Sequence, residues 1–290
     1  MKLVESARQH LERDDVAAAL VDSRNALKQQ PQLAAARLTL ARSIAAQGDL
    51  AAAATELDRA VALGASDDET VPVGVSMLLS QGRNQAVVDR YADKALQSPQ
   101  ANALLRVQVA TAYRALERRP DALAQLQKAL SDVPGHPSAL ALQGSLALDG
   151  GDPATARQVA AELLKLDPAL PEALLLQGDV LAHSQADTAG AVRAYRQVLQ
   201  ARPRSLEAHG RIITLLINSG DLAEAEKQVA ALVKALPGRP LVVFYQALVA
   251  YLRNDMPRVR ELTLVLQRAL PLPQVHFMAG MAEKRLGAVA

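Results

Sequence analysis

The 290-residue sequence contains no cysteine and no tryptophan, and aromatic residues make up only 2% of it. Without cysteine there are no disulfides, thiolate metal sites or thiol nucleophiles, although this absence assigns no compartment. A globular core of this size would bury several large rings. Here the apolar half of the sequence is Ala, Leu and Val, a composition suited to closely packed helices rather than sheets. Charge of one sign is also missing. Thirty-two basic and thirty acidic side chains leave a net +2, which argues against electrostatic binding to nucleic acid or a membrane surface. Long apolar runs are absent, because Arg, Asp, Gln or Lys interrupts every candidate before it reaches about 18 residues. Glu5, Arg8 and Glu12 break up the first residues, so MKLVESARQHLERDD does not read as a signal peptide.

What the sequence does contain is a period. From Pro99 the prolines fall at Pro134, Pro168, Pro203, Pro237 and Pro271, at intervals of 35, 34, 35, 34 and 34 residues. Pro31 lies 68 residues before Pro99, with Ala65 in the intervening slot. Gly48-Asp49, Gly151-Asp152 and Gly220-Asp221 sit near the middle of their units. Glycine is suited to the left-handed end of one helix, and aspartate to the cap of the next. Pro120, Pro153 and Pro257 suit the first turn of a helix, where no N–H is lost. Small residues recur on both helices: Ala41, Ala110, Gly144, Gly178 and Ala247 on the first, and Ala19, Ala53, Ala122, Ala156, Ala191 and Ala225 on the second. They predict close approach within each hairpin. Tyr91, Tyr113, Tyr195 and Phe277 fall in bulky packing slots, and consecutive units lack the partners for a base-stacking platform.

A 34-residue helix–turn–helix with a terminal proline resembles the tetratricopeptide repeat. The expected fold is therefore all-α, a right-handed superhelical solenoid of about eight units plus one extra helix, forming a single domain over residues 1–290. The units are about 1–33, 34–67, 68–101, 102–135, 136–169, 170–204, 205–238 and 239–272, with a partial one at 273–290. The last helix contains VHFMAGMA, which is apolar where a capping helix is polar. A chain cut from a longer array is therefore expected.

No arrangement for catalysis stands out. His10, His136, His183, His209 and His276 share no ligand spacing on one helical face, so no metal site is expected. Acidic pairs such as Asp14-Asp15 and Asp67-Asp68 fit helix caps, the Gly-rich stretches fit turns, and no serine lies in a nucleophile-elbow context. A non-enzymatic protein without cofactor is expected, binding a protein or peptide in the groove lined by the first helices. One inward position runs Arg8, Arg42, Ser76, Thr111, Ser145, Asp179, Thr214 and Leu248 through the units. Arg8, Arg42 and Arg114 could meet an acidic partner or be ordinary solvated charges, and Asp179 adds one acid. Phe244, Leu248 and Tyr251, spaced i, i+4, i+7, could form an exposed anchor or part of the core. The Lys and Asn clamp with which some members of this repeat class hold chaperone tails has no counterpart here.

The first two units add a narrower resemblance. NAL-x-x-x-P at Asn25–Pro31, AARLTLA at Ala35–Ala41, G-D-L-x-x-A at Gly48–Ala53 and AVALG at Ala60–Gly64 resemble the repeat lipoproteins of the PEP-CTERM/exosortase system of exopolysaccharide-producing Gram-negative bacteria. TVPVGVSMLLSQG is similar to that family's proline-started helix and LLSQG turn. RPLVVFYQALVAYLRND is similar to its P-x-x-x-x-Y-x-A-L-x-A-Y-x-x-x-D segment. The resemblance implies a longer parent with a signal peptide and lipidated cysteine upstream, a scaffold role in the envelope or periplasm, and no catalytic residues. The alternatives are the periplasmic repeats of an outer-membrane polysaccharide export porin and a carbohydrate-binding solenoid.

Overall fold

A computed structural model describes residues 1–183, 187–270 and 272–287, which form seventeen helices and no strand. The chain separates into two compact units, Met1–His183 and residues 184–290. In the first, the leading helices of each repeat are α1 (Lys2–Glu12), α3 (Ala34–Gln47), α5 (Asp67–Ser80), α7 (Pro99–Ala115), α9 (Pro137–Asp149) and α11 (Pro171–His183). Their second helices are α2 (Val16–Gln29), α4 (Leu50–Ala62), α6 (Asn84–Tyr91), α8 (Arg119–Asp132) and α10 (Pro153–Leu166). The second unit holds α12 (Thr188–Ala201), α13 (Leu206–Asn218), α14 (Leu222–Ala235), α15 (Pro240–Leu252), α16 (Met256–Ala269) and α17 (Pro273–Arg285). The division falls between α11 and α12, the two helices of the sixth repeat.

Each hairpin is punctuated as its sequence demands. Gly48, Gly151 and Gly220 take positive φ, ending α3, α9 and α13. The next residue then caps the following helix. Asp49, Asp152 and Asp221 accept backbone N–H bonds from Ala52, Thr155 and Glu224 at 3.0, 3.0 and 3.1 Å. Asp15, Asp187 and Asp255 do the same for α2, α12 and α16. Each such cap contributes on the order of 0.5–2 kcal/mol.

The small residues lie where the period places them. Ala19, Ala53, Ala122, Ala156, Ala191 and Ala225 are fully buried, and so are Ala41, Ala110 and Ala247. At Gly144 a Cβ would stand 2.5 Å from Cδ2 of Leu176, so the absent side chain lets α11 close on α9. Within the first unit, successive leading helices pack side by side, and each second helix packs against the leading helix that follows. The core is thus a series of clusters along the stack, each shared by at least three consecutive helices.

One slot pair alternates between polar and apolar fillings. Residues 19 apart face each other across a hairpin as Leu140 and Val159, or Val243 and Leu262, within apolar clusters. In α3 and α4 the same slots hold Arg37 and Glu56, an ion pair at 2.8 Å. In α13 and α14 they hold His209 and Gln228, 2.6 Å apart. Burial keeps the His209 pKa low, favouring the neutral ring, whose other nitrogen bonds the Pro203 carbonyl.

Two expectations are corrected. The third unit's first helix does not start at its proline: α5 begins at Asp67 and carries Pro72 inside it. Asp67, Asp68 and Glu69 occupy its first turn, where negative charge suits the helix dipole. Phe277 does not pack in a core slot but is 57% exposed, because no second helix follows α17 among the described residues to cover it.

The third unit's second helix, α6, is also short, ending at Tyr91. The segment after it is held from a distance. The Asp68 carboxylate accepts the backbone N–H groups of Gln97 and Ser98, both at 2.8 Å, and Lys94 pairs with Asp67 at 2.8 Å. The bonds from Gln97 and then Ser98 hold the Asp68 carboxyl below its ordinary pKa. Its stabilisation is therefore fully present above the ordinary value of about 3.9 and lost as pH falls through the depressed one. Asp68→Asn should speed amide exchange at residues 97 and 98 at neutral pH and flatten the acid dependence of that exchange. Exchange identical to wild type at both pH extremes would contradict this role.

Candidate partner-binding face

The leading helices of the first unit form a row that brings three charged side chains together at its start. Arg8 on α1 lies 3.7 Å from the Glu69 carboxylate on α5, and Arg42 on α3, between them, points Nη2 at the Glu69 carbonyl, 3.5 Å away. Two guanidiniums therefore converge on Glu69, Arg8 at its carboxylate and Arg42 at its backbone carbonyl. Burial first, then the charge of Arg8, hold the Arg42 pKa below its ordinary value, with Glu69 opposing. The Nε of Arg8 is buried without a hydrogen-bond partner. This corner keeps a net positive charge.

Further along, the row is polar and mostly self-satisfied. Ser76 is exposed, and its hydroxyl accepts from Gln108, which also donates to the Pro72 carbonyl. Thr111 is exposed and returns its hydroxyl to the Val107 carbonyl, while Ser145 is buried and bonds Ala141. Arg114 is not an open charge. It makes a bidentate pair with Asp149 on α9, at 2.7 and 3.1 Å. Asp179 is half-buried on α11. The structure thus brings Arg8 and Arg42 together and places Arg114 and Asp179 in separate surroundings.

In the second unit Phe244, Leu248 and Tyr251 are half-buried on α15 and pack against a cluster that includes Ala247, Met256, Val259 and Met278. They belong partly to the core and partly to the surface. Phe244 meets Tyr245 edge-on at 5.8 Å, and Tyr251 meets Phe277 edge-on at 5.9 Å. The exposed Phe277 extends the Tyr251 surface onto α17.

Glu69 and Asp149 were not singled out from sequence, and Phe277 was read there as a packing residue rather than a surface one. Asp149 carried a usable signal, since it lies 35 residues, about one period, from the arginine it meets, whereas Glu69 lies 27 residues from Arg42 and off the period. The exposure of Phe277 had none within its own helix. Among the described residues no group of three His, Asp or Glu side chains is placed to hold a metal, and no helix is long and apolar enough to cross a membrane.

Two tetratricopeptide repeat models match this chain. One covers residues 4–68, 109–171 and 142–205, more than half of it, and the other covers 182–250. No curated protein matches. Solved structures with the same fold include a thermophilic tetratricopeptide protein of Thermus thermophilus, at 16% identity and a TM-score of 0.53, covering 62% of this chain and 98% of that one. A tetratricopeptide repeat protein from Parabacteroides merdae has 14% identity and a TM-score of 0.53, with 97% of both chains covered. A chain of the APC/C hetero-tetramer Cut9-Hcn1 gives a TM-score of 0.61 at 12% identity, over 97% of this chain and 55% of that one. At these identities the likeness is one of fold.

Proposed function

Because the chain belongs to the tetratricopeptide repeat family, we propose that it is a non-catalytic scaffold holding a protein partner along the face of its leading helices. The observation that carries this reading is the contrast between slots. Positions between helices repeat the same small apolar residues, whereas the inward position changes unit by unit from Arg8 and Arg42 to Thr111 and Thr214. Packing explains the first set and leaves the second free to specify a partner. The Arg8–Arg42 corner favours an acidic group, and the Phe244–Tyr251 surface an apolar one.

A photo-crosslinking residue placed at the exposed Ser76 or Thr111 of the first unit in the native host tests this. Both positions should give adducts with the same polypeptide, and positions Val21 and Leu166 on second helices should not. Equal adducts from both sets, or none from the leading helices, would reject the face.

The finer setting is the bacterial envelope, where the scaffold supports exopolysaccharide assembly or export, or PEP-CTERM protein sorting. Its support is the unit-by-unit resemblance of the first, second, third and eighth repeats. Deleting the gene should impair polymer surface display or sorting, and normal display and sorting would reject it. One observation favours a carbohydrate reading as the second choice: the exposed Phe277 ring beside Tyr251 is a surface on which a sugar ring could stack. Polymer binding by the isolated protein that disappears in Tyr251→Ala would select it.

A further inference from the structure

Arg106 on α7 is a buried cation without a matching anion. It is 9% exposed, and its Nη1 donates to the Ala92 carbonyl at 2.8 Å and to Oε1 of Gln125 at 3.1 Å. Both partners are neutral. Gln125 itself donates to Ala92 at 3.0 Å, so the two side chains together close the end of the short helix α6. The guanidinium Nε is buried and has no partner. A buried charge is costly unless it is paired, and a carbonyl at a helix end supplies only a partial negative charge.

The repeat supplies its own comparison. In the second unit the equivalent arginine, Arg37, pairs with Glu56 nineteen residues later. In the fourth unit the equivalent of that glutamate is Gln125. The anion has gone and the cation has stayed.

Arg106 is also one of the residues that line an open cavity of about 470 Å³ between α7 and α8, and it is the one buried residue among them. Lys128 adds a second positive charge at the rim. The only acid in the lining, Asp132, is already engaged by the Asn102 amide at 2.6 Å. Ser131 turns its hydroxyl to the Gln127 carbonyl. The cavity is therefore of a size that takes small molecules and carries a net positive charge.

We propose that this cavity binds a carboxylate, which supplies Arg106 with the negative charge that Glu56 supplies to Arg37 and that the neutral Gln125 does not. The carboxylate comes from a small organic acid or from a Glu or Asp side chain of a partner. A planar carboxylate matches the guanidinium fork, and Lys128 attracts the charge into the cavity. The site lies in the α7–α8 hairpin and does not depend on the partner-binding face.

Calorimetric titration of the whole chain with succinate and with N-acetylglutamate amide, against chloride at matched ionic strength, tests this. At least one should bind the wild type and raise its melting temperature. Stronger binding of succinate indicates a free diacid, and equal binding a single carboxylate such as a side chain. Gln125→Glu restores the carboxylate internally. It should remain folded, with an unchanged or higher melting temperature, and lose binding by about tenfold or more. Lys128→Ala should weaken binding in a folded protein. Failure of both probes to bind the wild type, or wild-type binding by Gln125→Glu, would overturn the proposal.

Discussion

Leu163→Ala is expected to destabilise the first unit by about 2–5 kcal/mol, near the upper end of that range. Leu163 is fully buried on α10, in a cluster whose other buried members are Ala141, Ala147, Ala156, Ala160 and Ala173 with Val159, Leu176 and Val180. When a large side chain is removed, its neighbours recover part of the loss by moving into the space. Alanines have no side-chain rotamers with which to do so, and the helices that carry them are already close. The cavity therefore stays open. Denaturant unfolding followed by circular dichroism measures the change. A cost below about 1 kcal/mol would mean that the interface collapses and is not set by its alanines.

The opposite change should also be costly. Ala53→Phe in the first unit or Ala225→Phe in the second should each cost about 1–3 kcal/mol by overfilling a hairpin. Both alanines are fully buried, Ala53 on α4 and Ala225 on α14. The added ring must separate the two helices or turn outward by distorting its own. Thermal melts of the two variants provide the check, with Val61→Phe, at an exposed position on α4, as the control. Unchanged melting at both alanines would mean that the assigned helix register is wrong.

These effects follow from features that could be read directly in the sequence. The proline intervals set the period, the Gly-Asp pairs marked the turns, and the recurrent alanines marked the contacts between helices. All three are local or strictly periodic, so a single unit explains all of them. What could not be read depends on partners outside the unit. The segment ADKALQS after Tyr91 has helix-forming composition, yet α6 stops because Asp68 takes the amides of Gln97 and Ser98 from nearly thirty residues away. Pro72 was expected at a helix start only through the resemblance to a family whose helix begins with proline. It is accommodated inside a helix that three acidic residues begin earlier.

The candidate face was legible only as a set of positions. Arg8 and Arg42 were singled out, but the Glu69 that they meet, one at its carboxylate and the other at its backbone carbonyl, belongs to a later leading helix, α5. Arg114 looked similar and is matched by Asp149. Charge in this fold is decided between repeats, and a helix read alone shows one half of each pair. The same holds for Arg106. Its missing anion is visible only when the fourth unit is compared with the second.

The central claim is that a helix pair of about 34 residues is the structural unit. Its most direct test is to delete residues 136–169, one full period comprising α9 and α10, and measure cooperative unfolding by circular dichroism. In a stack of nearest-neighbour units, α8 then packs against α11 as it did against α9, and the shortened chain should remain helical and melt cooperatively. Deleting only residues 136–152 leaves two second helices in succession and should abolish the cooperative melt. If both deletions unfold the protein, or both leave it equally intact, the repeat is not the unit that builds this fold.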